Sequence, residues 1–193
     1  MIDLKEIGKF TLQKIKLLDE DSSHSRALCA KLRRAIGKPP GGVPDIWEVT
    51  MQGAPDSWCS YDGQPSYAEW AVNTALTLYA MHRQGKAGSM HCENVSIASA
   101  TAKLVGKDKS REEAIKRRFN SFATSTDFVE LTHHARGIIQ MLKAEGITMD
   151  YARFTTDIFI FQSQGGSDKV RLRWGEDYYR ELDKNERKKD DEQ

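Results

Sequence analysis

Apolar side chains recur at helical spacing along almost the whole chain. Ile7, Phe10, Ile15, Leu17 and Leu18 mark an opening helix, which stops before Asp19-Glu20-Asp21-Ser22, a cluster that also starts the next one. That second helix carries Leu28, Leu32 and Ile36, and Gly37 followed by Pro39-Pro40-Gly41-Gly42 ends it. A third, short helix is expected over residues 44–51. Residues 52–64 are rich in Gly, Pro, Ser and Asp and read as a loop. Pro65, a good first-turn residue, then opens a long helix that ends near Gln84, with Trp70, Leu76, Leu78, Tyr79 and Met81 on its core face. Residues 85–94 form another loop, a helix over 95–105 follows, and Gly106-Lys107-Asp108-Lys109 breaks it.

Ser110-Arg111-Glu112-Glu113 matches the capping box, in which serine and glutamate satisfy each other's free N–H groups, so it marks a helix start with Ile115, Phe119 and Phe122 facing inward. A further helix is expected over 126–144 with Phe128, Leu131, Ile138, Ile139, Met141 and Leu142, stopped by Gly146. Residues 150–162 are ambiguous, since Ile158-Phe159-Ile160-Phe161 also suits a strand, but no partner strand is evident and the stretch is read as helix. Gln164-Gly165-Gly166 ends it, and Ser167 is expected to cap a last helix. At about 100° per residue, Val170, Trp174, Tyr178 and Leu182 form one apolar arc on that helix, extended by Leu172 and Tyr179. The sum is an all-α chain of eight or nine helices in two small bundles, residues 1–106 and 107–185, followed by a charged tail, 186–193, that is expected to be disordered.

The chain has 193 residues, 39% of them hydrophobic, which suffices for a core. Its 29 Lys and Arg nearly balance 28 Asp and Glu, so the placement of charge matters more than its total. Residues 22–43 carry Arg26, Lys31, Arg33, Arg34 and Lys38 with no acid, whereas 44–82 carry Asp45, Glu48, Asp56, Asp62 and Glu69 with no Lys or Arg. Such segregation suits a basic face for a polyanion and an acidic face for another partner. Cys29, Cys59 and Cys92 lack CxxC spacing and read as reduced, buried thiols of a cytoplasmic protein. The first residues, MIDLKEIGKFTLQKIKLL, mix acids into the apolar pattern and suit neither a signal peptide nor a membrane span.

GxSxG, GxxxxGK[ST] and HExxH are missing. His91-Cys92-Glu93 matches only half of a zinc-deaminase signature, and adjacent His133-His134 point about 100° apart on a helix, so neither a metal nor a cofactor is expected. The basic residues say more. From Ser110 onward, Arg111, Ala114, Arg118 and Ser121 fall on one stripe beside the Phe119 and Phe122 face, with Lys116 and Arg117 outward; Arg26 and Arg33 share a side of the second helix. Lys169, Arg171 and Arg173 sit in the first turns of the last helix, where the macrodipole favours anions instead. A phosphate seated on Lys169, Arg171 and the free N–H groups would remove that conflict. The structural alternatives are that Arg171 lies along the apolar face and that Arg117 and Arg118 pair with Glu112, Glu113 or the tail. Two other functional readings stay open: an enzyme using His82, His91 and Cys92, and a protein-interaction scaffold working through the acidic stretch 44–69 without touching nucleic acid.

Leu32-Arg33-Arg34, the helix AEWAVNTALTLYAMH, REEAIKRRFNSF, IIQMLKAEGITMDYARFTTDI and KVRLRWGEDYYREL, in this order from about residue 26 to 182, resemble the CasB family, the small subunit of the type I-E CRISPR complex Cascade. The resemblance implies a non-enzymatic, two-bundle helical protein in antiviral defence. It implies contacts with the Cascade backbone and large subunits, with a second copy of itself, and with the backbones of guide RNA and target DNA, where the subunit stabilises the heteroduplex and the displaced strand of an R-loop. It also carries the family's basic positions onto Arg33 and Arg34, Arg117 and Arg118, Arg136, Lys169 and Arg171. With Arg111 and Lys116 from the stripe, these make up the expected nucleic-acid-binding set. The region 41–64 holds no motif of the family, and Thr132-His133-His134 stands where a more basic helix face is expected.

Overall fold

The computed structural model describes residues 2–59, 62–106 and 109–190. Among the described residues there are nine α-helices: α1 (Leu4–Asp19), α2 (Ser23–Arg34), α3 (Trp47–Thr50), α4 (Tyr67–Arg83), α5 (Ile97–Lys103), α6 (Glu112–Ala123), α7 (Phe128–Glu145), α8 (Tyr151–Phe161) and α9 (Gly166–Asp190). Short 3-10 turns lie at Pro44–Ile46, Asp56–Trp58 and Lys109–Arg111. The all-α expectation holds, and the ambiguous segment 150–162 is helix. Asp150 decides that segment locally, because its side chain accepts from the Arg153 backbone N–H and closes the first turn of α8.

Three helix starts differ from expectation. The capping box forms at Ser66 and Glu69, each side chain accepting from the other's backbone N–H, so α4 begins at Tyr67 and Pro65 lies outside it. At α6 the 3-10 turn takes up residues 109–111, which moves the N-cap to Arg111, and no side chain caps it. Ser167 is already inside α9, which begins at Gly166. Of the expected break after residue 105, Lys107 and Asp108 lie outside the described residues. Residues 186–190 of the expected tail continue α9, and the rest of that tail lies outside the described residues.

Helix α4 is the axis of the fold. From Ala71 to His82 every side chain is buried, and it packs against α1, α2, α7 and α8. A helix apolar all round must lie inside other helices, which is why its neighbours come from both ends of the chain. α1 lies on α8, α5 on α9, and α6 on α7 and α9, so helices from either side of residue 106 share one core. Each fully buried Leu, Ile or Phe there contributes about 1.5–3 kcal/mol.

Several polar groups inside this core are paired, although the Trp58 indole N–H, His82 Nε2 and the Tyr178 hydroxyl are buried without a hydrogen-bond partner among the described residues. The Tyr79 hydroxyl donates to Asp19 at the end of α1, and Arg83 meets the same carboxylate at 2.8 Å while donating to the Asp19 carbonyl at 3.0 Å. The loop before α5 is tied to the α7–α8 junction by backbone bonds: Cys92 N–H to Met149, Met149 N–H to Met90, Asp150 N–H to Val95. His82 is fully buried, with Nδ1 3.0 Å from the Tyr151 hydroxyl. Burial pushes its imidazole down to about 4; Lys86 and Lys143 act in the same direction, and contact with the Ile147 backbone opposes them. Between pH 4 and the ordinary histidine value near 6.5 the unfolded chain therefore binds the proton that the folded chain refuses. Stability should fall as pH drops through that window, and His82→Phe should flatten this part of a melting-temperature profile even if it lowers the whole curve.

Candidate nucleic-acid interface

Helix α6 is amphipathic because Ile115, Phe119 and Phe122 recur at three- and four-residue intervals and are all buried. Phe119 stacks on Tyr178 with centroids 4.0 Å apart, and Phe122 meets Trp174 at 4.4 Å. This contact turns Arg117 and Arg118 outward, toward α7. A groove of about 430 Å³ opens there, lined by Ala114, Arg117, Arg118 and Ser121 of α6 and by His133, His134 and Gly137 of α7. The Arg118 guanidinium lies 3.8 Å from the point where a Cβ on Gly137 would stand.

On the other side of α7, a second groove of about 270 Å³ runs between α7, α4 and the chain after α2, with Lys38 and Arg136 on its walls. His133 lines both grooves. Among the described residues no Asp or Glu lines either one. Arg117, Arg118, Arg136 and Lys38 are exposed, and among the described residues none has an ion-pair partner. Three expected residues, Arg117, Arg118 and Arg136, thus come together across one helix. Lys38, His133 and His134 join them without having been in the expected set. Their sequence signal was present, since Lys38 belongs to the acid-free run and the histidines stand on the α7 face opposite α6, but only the fold shows which face that is.

The other expected residues lie in different settings. Arg33 is half-buried, donates to the Ala80 carbonyl at 3.5 Å, and lines a third cavity of about 530 Å³ whose wall also holds Asp19, Glu20 and Asp21. Arg34 and Lys169 are exposed and Lys116 is half-buried. Arg111 pairs with Glu145 at 3.0 Å. Arg171 spends its guanidinium inside the chain: Nε donates to the Ala123 carbonyl at 3.0 Å, Nη2 to the Ser125 carbonyl at 2.6 Å and Nη1 to Asp168 at 3.0 Å. These carbonyls belong to the C-terminal end of α6 and the turn after it, where helix carbonyls lack partners and a cation is favoured. Arg173 pairs with the buried Asp157 at 2.9 Å. For Arg171 and Arg173 the conflict with the dipole of α9 is therefore met by internal partners.

Of the three cysteines expected to be buried, only Cys29 is; Cys59 lies exposed in the loop before α4 and Cys92 is half-buried. His82, His91 and Cys92 are also engaged structurally. His91 Nδ1 accepts from the Tyr151 backbone N–H, and the Thr148 hydroxyl donates to Cys92 Sγ at 3.0 Å. Among the described residues no group of three or more His, Cys, Asp or Glu side chains could hold a metal ion. None of their helices is long and apolar enough to cross a membrane.

The family model for CRISPR-associated protein Cse2 matches residues 28–179. The chain belongs to the Cse2 family. A search of curated proteins returns no match. Among solved structures, the fold is similar to CasB from Thermobifida fusca, with a TM-score of 0.75 and 25% identity over 90% of this chain and 97% of that one. It is also similar to CasB from Thermus thermophilus, with a TM-score of 0.66 and 20% identity over 89% of this chain and 97% of that one. A chain of a structure described as a CRISPR RNA-guided surveillance complex matches over 96% of this chain and 98% of its own, with a TM-score of 0.72 and 17% identity. The helical architecture of this Cse2 chain is thus that of the CasB structures.

Because Arg171 holds the end of α6, Arg171→Ala should lower stability by about 1–3 kcal/mol in chemical denaturation, the cost of leaving charge-assisted acceptors unpaired. Arg171→Lys should recover only part of the loss, since an ammonium cannot span the three acceptors as the guanidinium fork does.

Proposed function

We propose that this Cse2 chain is a non-catalytic subunit of an RNA-guided CRISPR interference complex and that it grips nucleic-acid backbone on the face formed by α6, α7 and the chain after α2. The observation that carries this reading is the pair of acid-free grooves joined at His133, with Arg117, Arg118, Arg136 and Lys38 exposed and without ion-pair partners along them among the described residues. Family membership and the fold shared with a chain of the surveillance complex support placement in such an assembly.

Cations spread over about two helix widths suit phosphates, which repeat at short intervals and are bound by counterion release without reading bases. Guide–target pairing replaces one duplex by another of similar stability, so a modest grip on backbone is enough to favour the open R-loop. In this reading sequence specificity rests with the guide, and the subunit holds the heteroduplex and the displaced strand. The mixed-charge cavity around Arg33 has a different character. Its carboxylates repel phosphate, which suits it to protein contacts with the backbone subunits, the large subunit or a second copy.

The test is a salt titration of single-stranded DNA and RNA binding. Affinity should fall steeply with salt and show no base preference. Replacing Arg117, Arg118 and Arg136 by glutamate should weaken binding and reduce the slope of log affinity against log salt by about 0.7–1 per lost contact. The helical circular-dichroism signal should be unchanged. Salt-independent affinity, or full affinity in the triple variant, would overturn the proposal.

A further inference from the structure

The groove between α4 and α7 has features that backbone binding alone does not use. Its inner wall is apolar and aromatic. Trp70 and Phe128 meet edge to face at 5.4 Å, both rings half-buried, with Leu78 behind them and Val129 76% exposed at the mouth. Lys38 and Arg136 belong to the same groove.

Several polar groups of the wall already have partners within the chain. The Asn73 amide donates to the Lys38 carbonyl, the Thr77 hydroxyl to the Asn73 and Thr74 carbonyls, and the Thr132 hydroxyl to the Val129 carbonyl. What the groove offers beside Lys38, Arg136 and His133 is mainly an apolar, aromatic surface. Its volume lies below the range of about 300–1,000 Å³ usual for small-molecule sites, which suits one ring system better than a whole cofactor.

An apolar side chain from another protein would fill the interior but leave Lys38 and Arg136 without partners. A base carried on a phosphodiester chain meets both demands, one face on the aromatic wall and its flanking phosphates on the two cations. The neighbouring groove, reached past His133, continues the cationic path for the same strand. We propose that the α4–α7 groove seats one unpaired nucleobase of a bound strand, of any base identity. This rests on the backbone-binding reading above and adds the class of ligand part that the groove takes.

The experiment compares binding of the full chain to a thymidine oligonucleotide and to an abasic strand of the same length and charge, each across a salt series. The wild type should bind the abasic strand about ten-fold more weakly, with an unchanged salt slope. Trp70→Ala should bind both strands alike, at the level the wild type shows for the abasic one. Trp70→Leu, which keeps apolar volume and removes the aromatic face, guards against misfolding and should behave in the same way when its helical signal is intact. Equal, salt-dependent binding of both strands by the wild type would overturn the base seat while leaving the backbone reading standing, as would undiminished discrimination in a folded Trp70 variant. Failure to bind either strand in a salt-dependent manner would overturn both.

Discussion

The placement of α6 depends on its aromatic contact with α9. Phe119 lies flat on Tyr178 with an interplanar angle of 8°, Phe122 rests on Trp174, and the indole N–H of Trp174 donates to Asp157 of α8 at 2.9 Å. The same carboxylate takes Arg173, so one buried acid holds two residues of α9. Burial pushes Asp157 above the usual carboxylate range, while Arg173 and the Trp174 hydrogen bond work in the other direction. Because the acid is buried while Arg173 is half-exposed, losing either partner of Asp157 would leave its carboxylate poorly compensated inside the core. The pair locks α9 to α8, and through the aromatic rings it sets how far α6 stands from α7. The width of the cationic groove follows from that distance.

Most of the architecture was legible because helical periodicity is written in every amphipathic element. The helix over 150–162 was read from the absence of a strand partner alone, and the Asp150 cap that closes its first turn emerged with the structure. What the sequence did not show is mostly partners distant along the chain. Arg171 inside an apolar arc suggested either an external anion or a place along that face, and two of its three acceptors are carbonyls 46 and 48 residues earlier, which no local pattern shows. Two segments carried a serine-to-glutamate capping signature, Ser66–Glu69 and Ser110–Glu113, and only the first became a box, because the second runs through a 3-10 turn. In the site, Arg117, Arg118 and Arg136 could be named from order and resemblance. That Lys38 meets them across α7, and that Arg33 belongs to another cavity, depends on the burial of α4, which brings α2 beside α7.

A chain with a net charge of +1 gathers some of its cations where acids are excluded and pairs others internally. Arg26, Arg83, Arg111, Arg153, Arg171, Arg173 and Arg180 all have carboxylate partners, which fix helices to one another or support single turns. Overall neutrality therefore conceals a local field, confined by screening to roughly 8–10 Å at ordinary ionic strength.

Gly137 stands in the middle of α7, where glycine is less favourable than alanine by about 1 kcal/mol. Space does not demand it, since the nearest atom to an added methyl would be the flexible Arg118 tip at ordinary contact distance. What the glycine does is leave the α7 wall of the α6–α7 groove as bare backbone at the helix midpoint, with the Arg118 tip lying over it. A side chain there would raise that wall beneath the guanidinium, so helix propensity is given up for a shallow rest in which the head of an arginine from the neighbouring helix can lie against α7.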